Sequence, residues 1–112
     1  MAPEHPDGHR PMLYTFFLLD KPGALPQRQA IRPEHKAYLA TKAEQMAFAG
    51  PLLADDGKTM IGSLLVIDFP SRDEAQRWIA AEPFTRAGVY ASTSVYAFEN
   101  LWAQKTGFPP SP

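Results

Sequence analysis

The fold is decided by residues 60–80, which read MIGSLLVIDFPSRDEAQRWIA. Apolar and β-branched residues dominate the first ten positions, so the stretch predicts a strand over Met60–Phe69 that ends at Pro70. Ser71 and Glu74 then have the spacing of a capping box, which predicts a helix over Ser71–Ala81. A buried strand followed at once by an amphipathic helix is typical of a mixed α and β domain.

The flanking sequence supplies the remaining elements. The segment MLYTFFLL at residues 12–19 predicts the first strand, and the segment DKPG after it predicts a turn. Residues 20–32 are interpreted as a loop with weak helical character. The first helix is expected over residues 33–48, because Pro33 suits a first helical turn and Gly50-Pro51 would stop the helix.

A short extended segment (Gly50–Leu53), a hairpin turn at Asp55-Asp56-Gly57 and a last strand complete the pattern. That last strand is expected over Val89–Phe98, with Tyr90, Ser92, Ser94, Tyr96 and Phe98 alternating on one face. The order is therefore βαββαβ, which indicates an α+β, ferredoxin-like fold. Such a fold has a four-stranded antiparallel sheet with two helices on one of its faces.

Two of the predicted strands are apolar on both faces, although the two helices can cover only one face. The first strand has Leu13, Phe17 and Leu19 on one side, and the third strand has Leu64 and Val66 on one side. A large uncovered apolar face is costly for a monomer. We therefore expect a homodimer joined through the sheet faces, of the dimeric α/β-barrel type, with a higher oligomer left open.

The composition narrows the functional classes. The chain has 112 residues, a formal net charge of −1 and no cysteine. The absence of cysteine excludes a disulfide framework and a thiol nucleophile. The near-neutral charge gives no electrostatic reason to expect nucleic-acid binding. No apolar run reaches membrane-spanning length, and a cytoplasmic location is the default expectation. Six of the 12 prolines lie in residues 1–11 and 109–112. We expect these to be disordered tails flanking one domain over residues 12–108.

Two polar residues occupy positions where helix periodicity predicts apolar ones. His35 begins the inward stripe of the first predicted helix, and Glu82 ends that of the second. If the two ends meet, the carboxylate would orient the imidazole as a general base. The alternative is a half-exposed histidine and a solvated glutamate. Ser63, after Gly62, allows close approach of a ligand or of another backbone, and Arg32 could hold an anion or be a surface residue, as could Arg86.

Several segments together carry a family resemblance. RPEH at residues 32–35, AGP at 49–51, GS at 62–63 and EPFTRAGVY at 82–90, in this order, resemble the YciI-like (YCII-related) family. The resemblance implies a dimeric ferredoxin-like fold related to muconolactone-isomerase-like proteins. It also implies a site that pairs His35 with the carboxylate at position 82, where the family usually has aspartate and this chain has glutamate. Ser63 matches as a substrate-contacting hydroxyl.

The family includes a dehydrochlorinase that acts on a chlorinated hydroxyhydroquinone. The resemblance therefore implies a small lyase- or isomerase-type enzyme in which His35 and Glu82 transfer a proton on a small, cyclic or aromatic substrate. Ser63, Arg32, Gly50, Pro51 and Phe84 would shape the pocket, and no metal or organic cofactor is expected. The alternative is a non-catalytic, small-ligand-binding or accessory dimer.

Overall fold

The computed structural model describes residues 12–103, within which the chain forms one antiparallel sheet with helices on one face. The strands are β1 (Leu13–Asp20), β2 (Met46–Leu53), β3 (Met60–Asp68) and β4 (Tyr90–Phe98), and the helices are α1 (Leu25–Ala40), α2 (Arg72–Ala80) and α3 (Pro83–Arg86). The strands are ordered β2-β3-β1-β4, and every neighbouring pair is antiparallel. The predicted α+β, ferredoxin-like class is confirmed, whereas both predicted tails lie outside the described residues.

The first helix lies further towards the N-terminus than predicted. It spans Leu25–Ala40 instead of residues 33–48, so most of the predicted loop at 20–32 is helical. Pro26 occupies the first turn, where a missing N–H costs nothing, and Pro33 lies inside the helix. The prediction is also wrong after the helix, because residues 41–48 are not α-helical: a short 3₁₀ turn leads into β2, which begins at Met46 instead of Gly50.

The core lies between the inner face of the sheet and the helices. Phe16 of β1 contacts Trp78 of α2, with ring centroids 5.6 Å apart. The ring of Tyr38 from α1 stacks on the same indole at 5.0 Å, and its hydroxyl donates a hydrogen bond to the Trp78 carbonyl at 2.8 Å. Ser71 caps α2 by accepting the Glu74 N–H at 3.2 Å, as the predicted capping box requires.

Gly62 fixes the approach of β3 to β1. A Cβ atom at this position would lie 2.2 Å from the carbonyl oxygen of Leu18, so no other residue fits without a shift of the backbone. The neighbouring residue, Ser63, pairs with Leu18 in the register of the two strands. Gly62 thus allows the backbone of β1 to lie close to β3 at the position next to Ser63.

A one-residue irregularity in β4 turns Tyr90 inwards. Leu19 pairs with Ser92 and Asp20 pairs with Tyr90, so one residue of β4 is left over at this point. Tyr90 is 8% exposed while Tyr96 is 64% exposed. The predicted alternation, which placed both tyrosines on one face, is therefore wrong at Tyr90.

The opposite face of the sheet is apolar and uncovered in the single chain. Within residues 12–103, large side chains on this face remain between 37% and 64% exposed, namely Phe17, Leu19, Phe48, Tyr96 and Phe98. This matches the expectation that the strands are apolar on both faces. The homodimer that would cover this face stays a prediction.

Candidate active site

His35 and Glu82 meet in the interior. The ring nitrogen Nδ1 of His35 contacts the carboxylate oxygen Oε1 of Glu82. His35 comes from α1 and is 7% exposed, while Glu82 is fully buried directly before α3. The alternative of a half-exposed histidine and a solvated glutamate is therefore excluded by their positions.

The turn before α3 explains how Glu82 is aimed. Glu82 is the N-cap of α3, and its second oxygen, Oε2, accepts the Thr85 N–H at 3.3 Å. Pro83 occupies the first position of the helix, where its fixed φ angle suits a helix start. One carboxylate thus caps a helix with one oxygen and holds the imidazole with the other.

Phe84 supports the site from behind. It is fully buried, its ring stacks on the His35 imidazole with centroids 3.9 Å apart, and the guanidinium carbon of Arg28 lies 4.5 Å from the ring centroid. The structure therefore places Phe84 against two polar side chains of the site, whereas the surface open to a ligand is formed by other residues.

A second buried polar cluster, which the sequence analysis did not identify, lies next to this pair. Arg28 is 1% exposed and donates from Nε and Nη2 to the two carboxylate oxygens of Asp20, at 2.7 and 3.1 Å. Its Nη2 also donates to Ser63 Oγ at 2.7 Å, and the Tyr90 hydroxyl approaches the same oxygen at 3.5 Å. Two side chains, Arg28 from α1 and Tyr90 from β4, thereby meet Ser63 Oγ on β3, and Asp20 from β1 holds Arg28 from the other side.

The charge balance at this cluster favours a neutral tyrosine. Burial raises the pKa of Tyr90 well above its ordinary value, and the Glu82 carboxylate raises it further. The pKa of Tyr38 is also raised, first by burial and then by Glu82. Both phenols therefore stay protonated at physiological pH and can act only as neutral hydrogen-bonding groups.

A cavity of about 200 Å³ connects the two clusters. It is lined by Arg28, Arg32, His35, Lys36, Leu39, Ala49, Gly50, Pro51, Ser63 and Leu65. The predicted residues His35, Ser63, Arg32, Gly50 and Pro51 thus share one cavity, while Glu82 and Phe84 lie behind its wall. Arg86 lies elsewhere, beside Glu34 in a separate surface depression.

Arg28 could have been found from its spacing. It precedes His35 by seven residues, which is close to two helical turns and therefore the same face of α1. The misplaced start of the first predicted helix put Arg28 in a loop and concealed that relation. No comparable signal exists for Tyr90, because its inward position depends on the irregularity in β4.

Neither a metal-binding cluster nor a membrane-spanning helix is found within residues 12–103. Among residues 12–103 no group of three or more His, Asp or Glu side chains is placed to hold a metal ion. None of the helices there is long and apolar enough to cross a membrane.

The fold and the cavity define a small ferredoxin-like α+β protein with a buried histidine–carboxylate contact. The sequence pattern of the YCII-related domain matches residues 12–99, and the chain belongs to that family. It is 34% identical over 98 residues to the protein YciI of Escherichia coli O6:H1, which covers 81% of this chain and all of the relative. The protein YciI of Shigella flexneri gives the same figures.

A solved structure resembles the chain over most of its length. It is that of 5-chloro-2-hydroxyhydroquinone dehydrochlorinase (TftG) from Burkholderia phenoliruptrix AC1100, in complex with 2,5-dihydroxybenzoquinone. The TM-score is 0.74 at 34% sequence identity, and the match covers 79% of this chain and 94% of the other. The similarity supports the fold class.

Proposed function

We propose that this protein is a lyase- or isomerase-type enzyme that moves a proton on a small cyclic or aromatic substrate. The observation that carries the proposal is the contact between His35 Nδ1 and Glu82 Oε1 at the wall of a cavity. The similarity to a dehydrochlorinase supports the same class of reaction.

The contact assigns a role to each nitrogen of the imidazole. An ionised carboxylate can only accept hydrogen bonds, so Nδ1 carries the proton and donates to Glu82. The lone pair then resides on Nε2, which forms no hydrogen bond within residues 12–103. Nε2 is therefore the proton acceptor, and Glu82 is the group that orients the ring and stabilises the imidazolium that forms.

In the proposed reaction His35 acts first as a base. His35 Nε2 takes a proton from the substrate, and the bonding pair left behind moves towards a substrate oxygen, which gains negative charge. In an isomerisation the imidazolium returns the proton to a different atom. In a dehydrochlorination the pair on the oxygen returns through the conjugated system to form a π bond to the carbon that bears chlorine, while chloride departs with the C–Cl bonding pair. The imidazolium then passes its proton to water, so that the proton and the chloride together account for the HCl removed.

The cavity limits the substrate. Its volume of about 200 Å³ is below the roughly 300–1,000 Å³ of pockets that take drug-sized ligands, so a molecule with one ring fits best. The side chains of Arg28, Arg32 and Lys36 give its lining a positive character, and no acidic side chain lines it. We expect a substrate that bears oxygen atoms and gains negative charge during the reaction.

The working form is proposed to be a homodimer in the cytoplasm that needs no cofactor. Apolar side chains exposed on the outer face of the sheet support the dimer. A second copy placed there would leave the cavity untouched at its helix side, because His35 and Arg28 project from the inner face.

The test uses the purified full chain and two readouts. Chloride release is measured with 5-chloro-2-hydroxyhydroquinone, and ¹H NMR in D₂O follows exchange of substrate C–H groups in a panel of hydroxylated and chlorinated one-ring compounds. We expect activity with at least one compound and a loss of roughly 10²–10⁴-fold in His35→Ala. Glu34→Gln, which neutralises the exposed acid next to His35 on α1, is the matched control.

Either of two results would reject the proposal. Activity that survives His35→Ala would remove the histidine from the mechanism. A compound that binds in the cavity without any exchange or chloride release would favour the alternative, a non-catalytic protein that binds small ligands.

A further inference from the structure

We infer that Arg32 and Lys36 bind a carboxylate group of the substrate at the mouth of the cavity, and that this group keeps its charge throughout the reaction. The ligand class is therefore a one-ring molecule with a substituent that ends in a carboxylate. This inference rests on the proposed function, because the ring is taken to lie in the cavity beside His35. It adds a second point of attachment that the proton step itself does not require.

Arg32 and Lys36 lie where two concave surfaces of the protein meet. One surface is the cavity of about 200 Å³, and the other is a more open depression of about 510 Å³. The depression is lined by Gln29, Arg32, Pro33, Lys36 and Met60. Because Arg32 and Lys36 line both surfaces, their side chains form the boundary between them. A group bound by both side chains would therefore lie at the mouth of the cavity.

The spacing of the two cations on α1 explains why they reach both surfaces. They are four positions apart, which places one above the other along the helix. Arg28 and His35 lie on one side of this row and line the cavity. Gln29 and Pro33 lie on the other side and line the depression. A ring in the cavity can thus extend a substituent past the row towards the depression.

The charges of Arg32 and Lys36 are not balanced in the described part of the chain. Within residues 12–103 neither side chain forms an ion pair or a hydrogen bond, and no acidic residue lines either surface. The two carboxylates of the site, Asp20 and Glu82, each already contact another side chain. Like charges one turn apart on a helix repel each other, so an anion bound between them would remove an unfavourable interaction.

A carboxylate suits these two cations better than a phosphate does. The planar guanidinium of Arg32 has paired N–H donors that match the two oxygens of a carboxylate, and the ammonium of Lys36 supplies a further donor. The proposed reaction adds a negative charge to the ring, and a dianion on the same small molecule would oppose that charge more than a monoanion does.

The carboxylate contributes to binding and selection, not to the proton step. Its charge is the same in the bound substrate and in the transition state, so its contact with Arg32 and Lys36 lowers KM without raising kcat. A ring without the carboxylate leaves both cations unsatisfied and binds less tightly. Arg32 and Lys36 are therefore specificity-determining residues, and their role is separate from that of His35.

The experiment measures the preference for a carboxylate in the absence of turnover. The probes are benzoate, phenylacetate and 3-phenylpropanoate, and each is compared with its neutral amide. Dissociation constants are obtained by titrating the purified full chain and following the ¹³C-labelled methionine methyl groups by NMR. We expect at least one carboxylate to bind roughly 10- to 100-fold more tightly than its amide. The signal of Met60, which lines the depression, should move, whereas that of Met46, which lines neither surface, should not.

Removal of either charge should lower this preference. Arg32 is half-buried and Lys36 is exposed, so we expect a reduction of roughly 10-fold in Arg32→Gln and roughly 2- to 5-fold in Lys36→Gln. The double variant should bind each carboxylate and its amide equally. Arg72→Gln, which removes an exposed positive charge from α2, is the matched control and should keep the full preference. Added salt should weaken the binding of the carboxylates and not that of the amides.

Three results would overturn the inference. They are equal affinity of the wild type for every carboxylate and its amide, no binding of any probe at millimolar concentration, and a full preference in the double variant. Tighter binding of phenyl phosphate than of all three carboxylates would overturn the choice of a carboxylate.

His35→Ala keeps this inference apart from the proposed function. The variant should retain the carboxylate preference, because that preference depends on Arg32 and Lys36. If the preference is present while deuterium exchange is unaffected by His35→Ala, the binding assignment stands and the proton-transfer function fails. If exchange depends on His35 while the wild type shows no carboxylate preference, only the binding assignment is rejected.

Discussion

The Nδ1 nitrogen of His35 contacts the Oε1 oxygen of Glu82 although 47 positions separate the two residues in the chain. The contact forms because His35 on α1 lies beside the N-terminus of α3, where Glu82 is the N-cap. The side chain of Glu82 is long enough for one carboxylate oxygen to accept the Thr85 N–H while the other contacts the imidazole of His35. The family usually has aspartate at this position, and the extra methylene of glutamate is therefore compatible with the contact between Glu82 and His35.

Glu82→Gln is the sharpest test of that contact. Glutamine keeps the size of the side chain and can still cap α3. It removes the charge, however, and its amide group can donate to Nδ1, which would favour the tautomer that carries the proton on Nε2. We expect kcat in the exchange or chloride-release assay to fall by roughly 10²-fold or more, with the fold intact by circular dichroism. The ¹⁵N chemical shifts of His35 report the tautomer directly. Unchanged shifts and unchanged kcat would contradict the role given to Glu82.

Strands β1, β3 and β4 and the second helix could be predicted from the sequence because local signals for them agree, whereas only the part of β2 from Gly50 onwards was predicted as extended. Apolar runs, turn residues and the Ser71–Glu74 capping box all point to the observed elements. The first helix is predicted too late in the chain because Pro33 suits a first helical turn, whereas the observed helix begins at Leu25 with Pro26 in its first turn and Pro33 inside it. Propensity cannot decide between them, since packing of the long helix against the sheet outweighs one lost hydrogen bond.

The site could be predicted in part for a related reason. Polar residues in apolar stripes identified His35 and Glu82, and the resemblance supplied their pairing. The Asp20–Arg28–Ser63 cluster depends on the position of α1 and on the approach of β3 to β1 at Gly62. Tyr90 depends on one unpaired residue in β4. Apart from Arg28, whose seven-residue spacing to His35 puts both on one face of α1, these tertiary details leave no periodic trace in the chain.

Gly62→Ala should destabilise the protein through a single methyl group. The added Cβ would lie 2.2 Å from the Leu18 carbonyl oxygen, and the two central strands must separate to accept it. We expect a loss of roughly 1–3 kcal/mol in the free energy of unfolding by urea denaturation. Gly50→Ala is the control, because nothing lies within 4 Å of a Cβ there. Equal stabilities of the two variants would show that β1 and β3 can move apart freely.

Phe17→Asp should dissociate the proposed dimer. Phe17 lies at the centre of the outer sheet face, pairs with Leu64 and Ser94, and is 42% exposed in the single chain. A charge there would be buried without a partner at a sheet-to-sheet interface, which is strongly unfavourable. Sedimentation velocity should show a dimer for the wild type and a monomer for the variant, while Gln76→Asp on the exposed side of α2 should remain dimeric. A monomeric wild type would reject the dimer outright.

The buried tyrosines should make the folded protein less stable at high pH. The pKa values of Tyr90 and Tyr38 are raised in the folded state, whereas an unfolded tyrosine ionises near pH 10. Above about pH 10 the unfolded chain releases protons that the folded chain keeps, so the stabilisation present below that pH is lost as pH rises. In an absorbance titration at 295 nm, which follows tyrosine ionisation, Tyr90 should ionise only when the protein unfolds. Tyr90→Phe should lose less stability between pH 10 and 12 than the wild type does. If the dependence of stability on pH is the same in that variant, Tyr90 is accessible to hydroxide in the folded protein.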